Sequence, residues 1–337
     1  MTEPAIDHEE RTGEGPSPEV AAPPGCAPVA APEAESGAAG AGGPARNVKR
    51  LRVATYNIHK GVLRDIFGLR RIPVIHDLRA RLHELEADLI FLQEVQGENS
   101  RHATRFESYW PSEPQDVFLA RSPSLKNVFE TAYGNNASYL HGHHGNALLS
   151  RFPIIHRENR DVSDHALEKR GILHCIVDIA GLKTHCFVVH LGLFARSRER
   201  QVDALIDWVQ RLVAPEAPIL IGGDFNDWRD KLSNRLCDAL GLQEVFDACR
   251  PRRAEQVIYY VRDRLTAGLG LEMEPQAMRQ PRRVRAARTY PALVPWLRMD
   301  RIYQRGFEVC AARVLAGPEW ARLSDHSPLV ADLALRS

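Results

Sequence analysis

Residues 218–228 read PILIGGDFNDW. A short apolar run, Ile219-Leu220-Ile221, stops at a glycine pair. Asp224, Asn226 and Asp227 follow, with Phe225 and Trp228 interleaved. The run has the length and composition of a buried strand. The glycines permit tight backbone geometry or the close approach of a ligand. A carboxylate delivered at the end of a buried strand must be solvated, paired or metal-bound, because burying it alone is very costly. Taken singly the motif is ambiguous, since Gly-Asp and Asn-Asp are ordinary turn residues.

The same pattern recurs along the chain. VATY runs into Asn57, with His59 two residues later. LIFL ends in Gln93-Glu94, CFVV at His190 and LRM at Asp300, and a last loop gives Asp325-His326 before PLVADL. Each has a dull account of its own: a turn residue, a surface acid, a satisfied core histidine, an Asp300–Arg301 pair, a capped turn. Those accounts fail together if all six strand ends converge on one edge.

Strands are predicted over 51–59, 87–95, 145–154, 171–181, 184–193, 297–303, 307–315 and 326–335, besides PILIGG. Helices are predicted from about Ile72 to Leu85 and over 197–213. In the second, Val202, Leu205, Ile206, Val209 and Leu212 fall at helical spacing behind Ser197 as N-cap. Most connections read as antiparallel, and several strands are apolar on both faces. The expected fold class is therefore α/β, a four-layer αββα sandwich of two packed, mostly antiparallel sheets with outer helices.

Residues 1–47 are dominated by Ala, Pro, Gly and Glu, too poor in large apolar side chains to offset their conformational entropy; they read as a disordered tail. The domain is expected over 48–337. The 337-residue chain carries a formal net charge of +1, but residues 1–46 hold eight acids and two bases. The remainder keeps 42 Lys+Arg against 35 Asp+Glu, an excess that suits a phosphate-bearing partner, though many enzymes are equally basic. An excursion at 250–288 holds ten arginines and four acids; it reads as a solvated surface or as a basic element over a site. The six cysteines form no CxxC, no secretory signal opens the sequence, and no run of 18 apolar residues occurs. A cytoplasmic setting is expected.

Glu94, Asn57 and Asp325 offer oxygen ligands only, the set a hard ion such as Mg²⁺ or Mn²⁺ takes. Imidazoles and further carboxylates remain for proton transfer. Metal, oriented water and a cationic imidazole together suit phosphate-ester hydrolysis.

TYNIH, LQEV, VVHLGL, GGDFND, MDRIY and LSDHSPL, in this order, resemble the endonuclease/exonuclease/phosphatase superfamily over roughly residues 50–335. That superfamily includes pancreatic-type deoxyribonucleases, apurinic endonucleases and sphingomyelinases. HHGNALLSR, EKRGIL and GDFNDW are similar to an uncharacterised bacterial branch. The resemblance implies the αββα sandwich and assigns roles. Glu94 resembles the principal metal carboxylate, Asn57 the amide beside it, and Asp325 an additional metal-side acid. Asp224 resembles the group that orients or deprotonates the attacking water. Asn226 resembles the amide on a phosphate oxygen, and His326 the histidine on the scissile phosphate, oriented by Asp300. His190 resembles the second histidine of the deoxyribonuclease and sphingomyelinase branches, and Arg170 a phosphate-contacting arginine.

Asn146 is a further candidate for phosphate contact, and Trp228 for stacking on a base or sugar. The histidines of HGHHGN (141–146) read as a substrate rim, a separate metal site or a plain loop. Nucleic acid is the favoured substrate, with a phospholipid or small phosphodiester as alternative, and membrane-surface contact stays open. A non-catalytic binding protein on the same fold is the rival of another class.

Overall fold

The computed structural model describes residues 50–64, 70–124, 128–165, 168–249 and 287–335. The expected tail at 1–47 and residues 250–286 of the Arg-rich excursion lie outside them. The described elements belong to one compact unit, Ala45–Ser337.

In chain order the strands and helices are β1 (Arg50–Asn57), β2 (Val62–Arg64), β3 (Arg71–Pro73), α1 (Ile75–Glu84), β4 (Leu89–Asn99), α2 (Ser100–Phe106), α3 (Gln115–Ala120), β5 (Glu130–Tyr139), β6 (Gly142–Ser150), β7 (Ile154–Asp161), β8 (Gly171–Ile179), β9 (Leu182–His190), α4 (Ala195–Leu212), β10 (Ile219–Asp224), α5 (Ser233–Leu240), β11 (Gln243–Glu244), α6 (Val245–Ala248), β12 (Asp300–Arg305), β13 (Phe307–Val314), α7 (Pro318–Ala321) and β14 (Leu329–Leu335). One six-stranded sheet runs β13-β14-β1-β4-β6-β5 and the other β11-β12-β10-β9-β8-β7. Pairing is antiparallel except for β1 with β4 and β9 with β10.

Strand alternation makes the layers. Leu51 and Val53 of β1, Leu89 and Phe91 of β4, Cys186 and Val188 of β9, and Leu220 of β10 meet between the sheets. Their neighbours Ala54, Ile90 and Leu92 pack outward under Ile75, Leu78 and Leu82 of α1. Phe187, Val189 and Ile221 pack outward under Val202, Leu205 and Val209 of α4. Three apolar layers, between two sheets and two outer helical layers, make the expected αββα sandwich.

The glycine pair is explained by packing. A Cβ on Gly222 would stand 2.7 Å from the Phe91 ring of the opposite sheet, and one on Gly223 would stand against the Val189 carbonyl of β9. The close approach is made by the protein's own core.

Several local expectations are corrected. Ser197 is no N-cap: α4 starts at Ala195 behind Phe194, and the Ser197 hydroxyl donates to Asp164 at 2.7 Å. The strand expected over 145–154 is two, β6 and β7, because the chain leaves one sheet at Arg151-Phe152-Pro153 and enters the other. Asp300 opens β12 rather than ending a strand, and antiparallel pairing still brings it opposite Asp224.

Candidate active site

The polar strand ends do meet. β9 and β10 run parallel, so His190 stands beside Asp224, while β12 runs back and sets Asp300 on its other side. All three share the parity of Leu220, so their side chains face the inter-sheet layer. From the other sheet, Asn57 ends β1 and Glu94 lies in β4. Plain alternation would turn Glu94 away toward α1, like Ile90 and Leu92. It is instead a bulge residue, with the register shifting between Leu92 and Val95 and φ at +57°. Such bulges re-aim a side chain at a functional edge; this one lets the carboxylate reach the Asn57 amide, 3.5 Å away.

Asn57 Nδ2 also donates to Asp224 Oδ2 at 3.2 Å, linking the two sheets. His326 Nδ1 is 2.8 Å from Asp300 Oδ2, and its Nε2 is 3.6 Å from Asp224 Oδ2. His190 Nε2 is 3.7 Å from the same Asp224 oxygen. Asn226, at φ +50°, donates its backbone N–H to Asp224 Oδ1 (3.0 Å) and its amide to the Leu191 carbonyl (2.9 Å).

Burial and charge set the protonation states. Burial, assisted by the Asp300 charge and opposed by His326, raises the Asp224 carboxyl to about 7. For His326, burial disfavours the cation, but Asp300 and Asp224 outweigh it and raise the imidazole to about 10. His190 goes the other way: burial first, then the Arg170 charge, hold it well below its ordinary range. Burial also resists ionisation of Glu94, yet His190, Lys60 and His59 around it bring it to about 2. With His190 itself neutral, the lasting cation beside Glu94 is Lys60, 3.5 Å away.

Lys60 carries no signal of its own in the sequence pattern, and His59 appears there only as the polar residue two after Asn57. His59 Nδ1 pairs with Asp325 Oδ1 at 3.2 Å, which raises His59 and lowers Asp325. The two carboxylates expected to hold metal are thus each faced by a cation on the same turn. Ser324 pins that region: its hydroxyl donates to the Asn57 carbonyl at 2.6 Å and accepts from the His326 N–H at 3.2 Å. The Thr289 hydroxyl accepts the Asp300 N–H at 3.2 Å, and the Tyr290 ring lies 5.0 Å from His326.

Other expected site residues stand further back. Arg170 braces the turn after His190, donating to the Leu191 carbonyl (3.1 Å) and Glu168 (3.0 Å). Asn146 is fully buried between the sheets, and its amide donates to the carbonyls of Gly171 and Val188. Those two bonds use both N–H groups, so Asn146 has no donor left for phosphate and ties one sheet to the other. Trp228 is exposed, with the Arg198 guanidinium 5.5 Å from its ring. The HGHHGN histidines disperse. His141 lines a cleft, His143 bonds the Tyr133 hydroxyl at 2.9 Å, and His144 neighbours Glu94. Among the described residues they do not form a group of metal ligands.

The cleft beside Lys60 has a volume of about 370 Å³, and its lining includes His59, Lys60, Arg71, Arg101, His102 and His141 with no carboxylate. Leu193, Phe194, Trp228, Leu293, Val294 and Trp296 are exposed on loops following His190 and Asn226 and around Tyr290. No helix among the described residues is long and apolar enough to cross a membrane.

A hard divalent ion fits the donor set of Glu94, Asn57 and Asp325, all oxygen ligands. Asp224, Asp300 and His326 also lie within 4.8 Å of one another through one ligand atom each. The one short contact among them is a hydrogen bond, His326 Nδ1 to Asp300 at 2.8 Å; Asp224 stands 3.6 Å from the other ring nitrogen, and both carboxylates favour the imidazolium.

Comparison with known proteins gives concordant results. The profile of the Endonuclease/Exonuclease/phosphatase family matches residues 54–326. The uncharacterised protein YbhP of Escherichia coli (strain K12) is 37% identical over 287 residues, covering 85% of this chain and 96% of that protein. The fold is similar to an endonuclease/exonuclease/phosphatase from Beutenbergia cavernae, with a TM-score of 0.58 at 20% identity over 85% of this chain and 72% of that one. It is also similar to a mannosyl-6-phosphatase of Bacteroides thetaiotaomicron, with a TM-score of 0.56 at 15% identity over 85% of this chain and the whole of that one.

Proposed function

Because the chain belongs to the endonuclease/exonuclease/phosphatase family, a family of phosphoesterases, we propose that it is a divalent-metal-dependent hydrolase of a phosphodiester. The observation that carries the reading is the meeting of Asp224 and Asp300 from one sheet edge with Asn57, Glu94 and, from the turn before β14, His326 from the other. Glu94, Asn57 and Asp325 would hold Mg²⁺ or Mn²⁺. A bound ion of this kind neutralises charge on phosphoryl oxygens.

The chain's own residues supply the rest. Asp224, buried and raised to about 7, accepts a proton from the water that attacks phosphorus. Asn57 and the Asn226 N–H fix the orientation of that carboxylate. His326, held as a cation by Asp300, donates to a phosphoryl oxygen as the bond to the leaving oxygen breaks. Asn226 keeps one amide hydrogen for phosphate after bonding Leu191. His190 is a neutral donor or acceptor at the same point, and Arg170 acts by bracing the turn behind it. A cytoplasmic setting belongs to this reading, supported by the five cysteines among the described residues, which stand as free thiols.

Nucleic acid is the first substrate class, favoured by the cationic cleft beside Lys60. Trp228 is exposed at the rim for stacking. The exposed apolar side chains around Tyr290 and after His190 favour a second reading, an amphiphilic phosphodiester such as a phospholipid taken from a surface. A metal-supplemented panel decides: supercoiled DNA, RNA, phospholipid vesicles and bis-p-nitrophenyl phosphate, each with a chelator control. Chelator-sensitive turnover on nucleic acid that falls steeply with salt supports the first class. Turnover confined to vesicles supports the second. No hydrolysis of any of them overturns the enzyme reading in favour of a binding protein.

A further inference from the structure

On the helix-covered face of the second sheet, away from the inter-sheet layer, a set of metal-type ligands stands on three neighbouring strands. β7 carries His156 and Glu158 two residues apart, so both point to one face. Glu158 is directly opposite His174 of β8, and His156 is opposite Ile176, which in turn is opposite His185 of β9. Alternation puts all four polar side chains on one face. Ligand atoms of His156, Glu158 and His174 lie within 4.8 Å of one another.

His174 provides the independent observation. It is fully buried, among Phe187, Trp208 and His185. Its Nε2 is 3.0 Å from His185 Nδ1, and its Nδ1 is buried with no hydrogen-bond partner. A buried ring nitrogen without a partner is costly. If His174 donates through Nε2–H to His185, its Nδ1 is a bare lone pair. A metal-bound histidine is held in this way, one nitrogen on the ion and the other N–H tied to a partner.

We propose that His156, Glu158 and His174 form a site for a borderline divalent cation of the Zn²⁺ class, with His185 fixing the His174 tautomer. Two imidazoles and a carboxylate, with a fourth position open to water, is a zinc-type donor set and differs from the all-oxygen set at Glu94. Tetrahedral zinc needs ligand atoms about 3.4 Å apart, so the ligands must close in. His156 is exposed and can turn. Glu158 now pairs with Arg160 at 2.8 Å, a contact between two partly exposed side chains that is weak and easily exchanged. β7 is the edge strand of its sheet, which leaves a path from solvent. Along β9, His185 is five residues before His190, about 16 Å at strand rise. The two face opposite sides of the sheet, so this site is separate from the phosphoesterase centre and independent of that reading. An ion here would cross-link the edge strand to β8.

The test is titration of the untagged full chain with Zn²⁺ in millimolar Mg²⁺, read by bound-metal stoichiometry, calorimetry and melting temperature, and repeated with Co²⁺ for its visible spectrum. One Zn²⁺ per chain is expected, with a rise in melting temperature and a Co²⁺ spectrum of low coordination number. His156→Ala and Glu158→Gln should each weaken binding by about tenfold or more and leave Mg²⁺-supported turnover unchanged, while Glu94→Gln keeps the Zn²⁺. The proposal is overturned if the chain takes up no Zn²⁺, if His156→Ala and Glu158→Gln bind as the parent does, or if the ion disappears in Glu94→Gln instead.

Discussion

The Nδ1 of His326 lies 2.8 Å from Oδ2 of Asp300, joining the turn before β14 to the first residue of β12. The same ring reaches toward Asp224 from its other nitrogen at 3.6 Å. One imidazole between two buried carboxylates is a proton held in place.

That proton should be visible in pH profiles. Asp300 is the largest influence raising His326, to about 10, against the pull of burial. Asp300→Asn removes that charge, so His326 should lose its proton at lower pH, and the alkaline limb of kcat/KM should move acid-ward by about one unit or more. Stability carries the same sign. A histidine whose folded pKa exceeds its unfolded value of about 6.5 stabilises fully below that pH and loses the contribution as pH climbs through the folded pKa. The parent's melting temperature should therefore fall more steeply between about pH 6.5 and 10 than that of Asp300→Asn. Superimposable profiles would exclude Asp300 as the group that sets His326.

Asp224 is raised to about 7 chiefly by burial. A buried carboxylate in that range can take a proton from water, and general-base contributions run to roughly 10²–10⁴-fold. Asp224→Asn should lose about that much turnover. Its amide oxygen still accepts the Asn226 N–H, but its amide nitrogen then faces the Asn57 donor and loses that bond, so the melting temperature should fall modestly while the apparent metal affinity changes little. Near-parental turnover on a responsive substrate would remove the base assignment.

How much of this was readable beforehand differs residue by residue. Asn57, His190 and Asp224 are legible only jointly: each has a dull explanation of its own, but three buried apolar runs each end in a polar side chain, and those ends meet. Glu94 is legible as a residue type, but its bulge is not. The αL backbone that re-aims it follows from packing against β6, which spacing does not encode. Lys60 is not legible, and His59 is legible only as a polar residue after β1, because their partners, Glu94 and Asp325, come from distant segments. β5 and β7 were missed because both are edge strands, rich in polar residues with one side to solvent. Ser197 was misplaced because a serine before an amphipathic run resembles a cap, while tertiary contact with Asp164 gave it another use.

Lys60 has two ways to matter, and they separate kinetically. It faces Glu94 at 3.5 Å and lines the cationic cleft. If its ammonium binds an anionic part of the substrate, Lys60→Gln should raise KM about tenfold, the cost of one charge-assisted contact of ~1.4 kcal/mol, with a smaller effect on kcat. Apparent Mg²⁺ affinity should not fall, because the substitution removes a cation that competes for Glu94. A fall in metal affinity with KM unchanged would place Lys60 on the metal side instead.

The glycine pair predicts a graded response. A Cβ at Gly222 meets a side chain, the Phe91 ring, at 2.7 Å, which can shift. A Cβ at Gly223 meets the backbone carbonyl of Val189 on the paired strand, which cannot move without opening the β9–β10 ladder. Gly222→Ala should cost about 1–3 kcal/mol, the usual range for overpacking, and Gly223→Ala clearly more. Denaturant midpoints measure both. Equal, small shifts would mean that the crowding is relieved by a motion absent from the folded geometry.

Arg301 is the last relationship with a measurable consequence. It follows Asp300 in β12, so alternation sends it to the opposite face, away from His326. There it is fully buried, donating to the Asp227 carbonyl at 2.8 Å and pairing with Asp230 at 3.0 Å. It therefore holds, from behind, the turn whose front carries Asp224 and Asn226. Removing Arg301 leaves the Asp227 carbonyl without this donor, but Asp230, half-open, keeps Arg298 at 2.9 Å, so the loss should fall below the roughly 3–5 kcal/mol of an uncompensated buried charge. Arg301→Met should lower the denaturant midpoint accordingly without changing the m-value. Arg301→Lys should rescue only part, because an ammonium cannot span the carbonyl and the carboxylate as a planar guanidinium does. The kinetic effect should follow the turn: in Arg301→Lys, kcat falls with Asn226 displaced, while the pH limb set by His326 stays where it is. A shift of that limb would mean that Arg301 acts on the Asp300–His326 pair through the strand itself, and the division of labour between the two faces of β12 would be wrong.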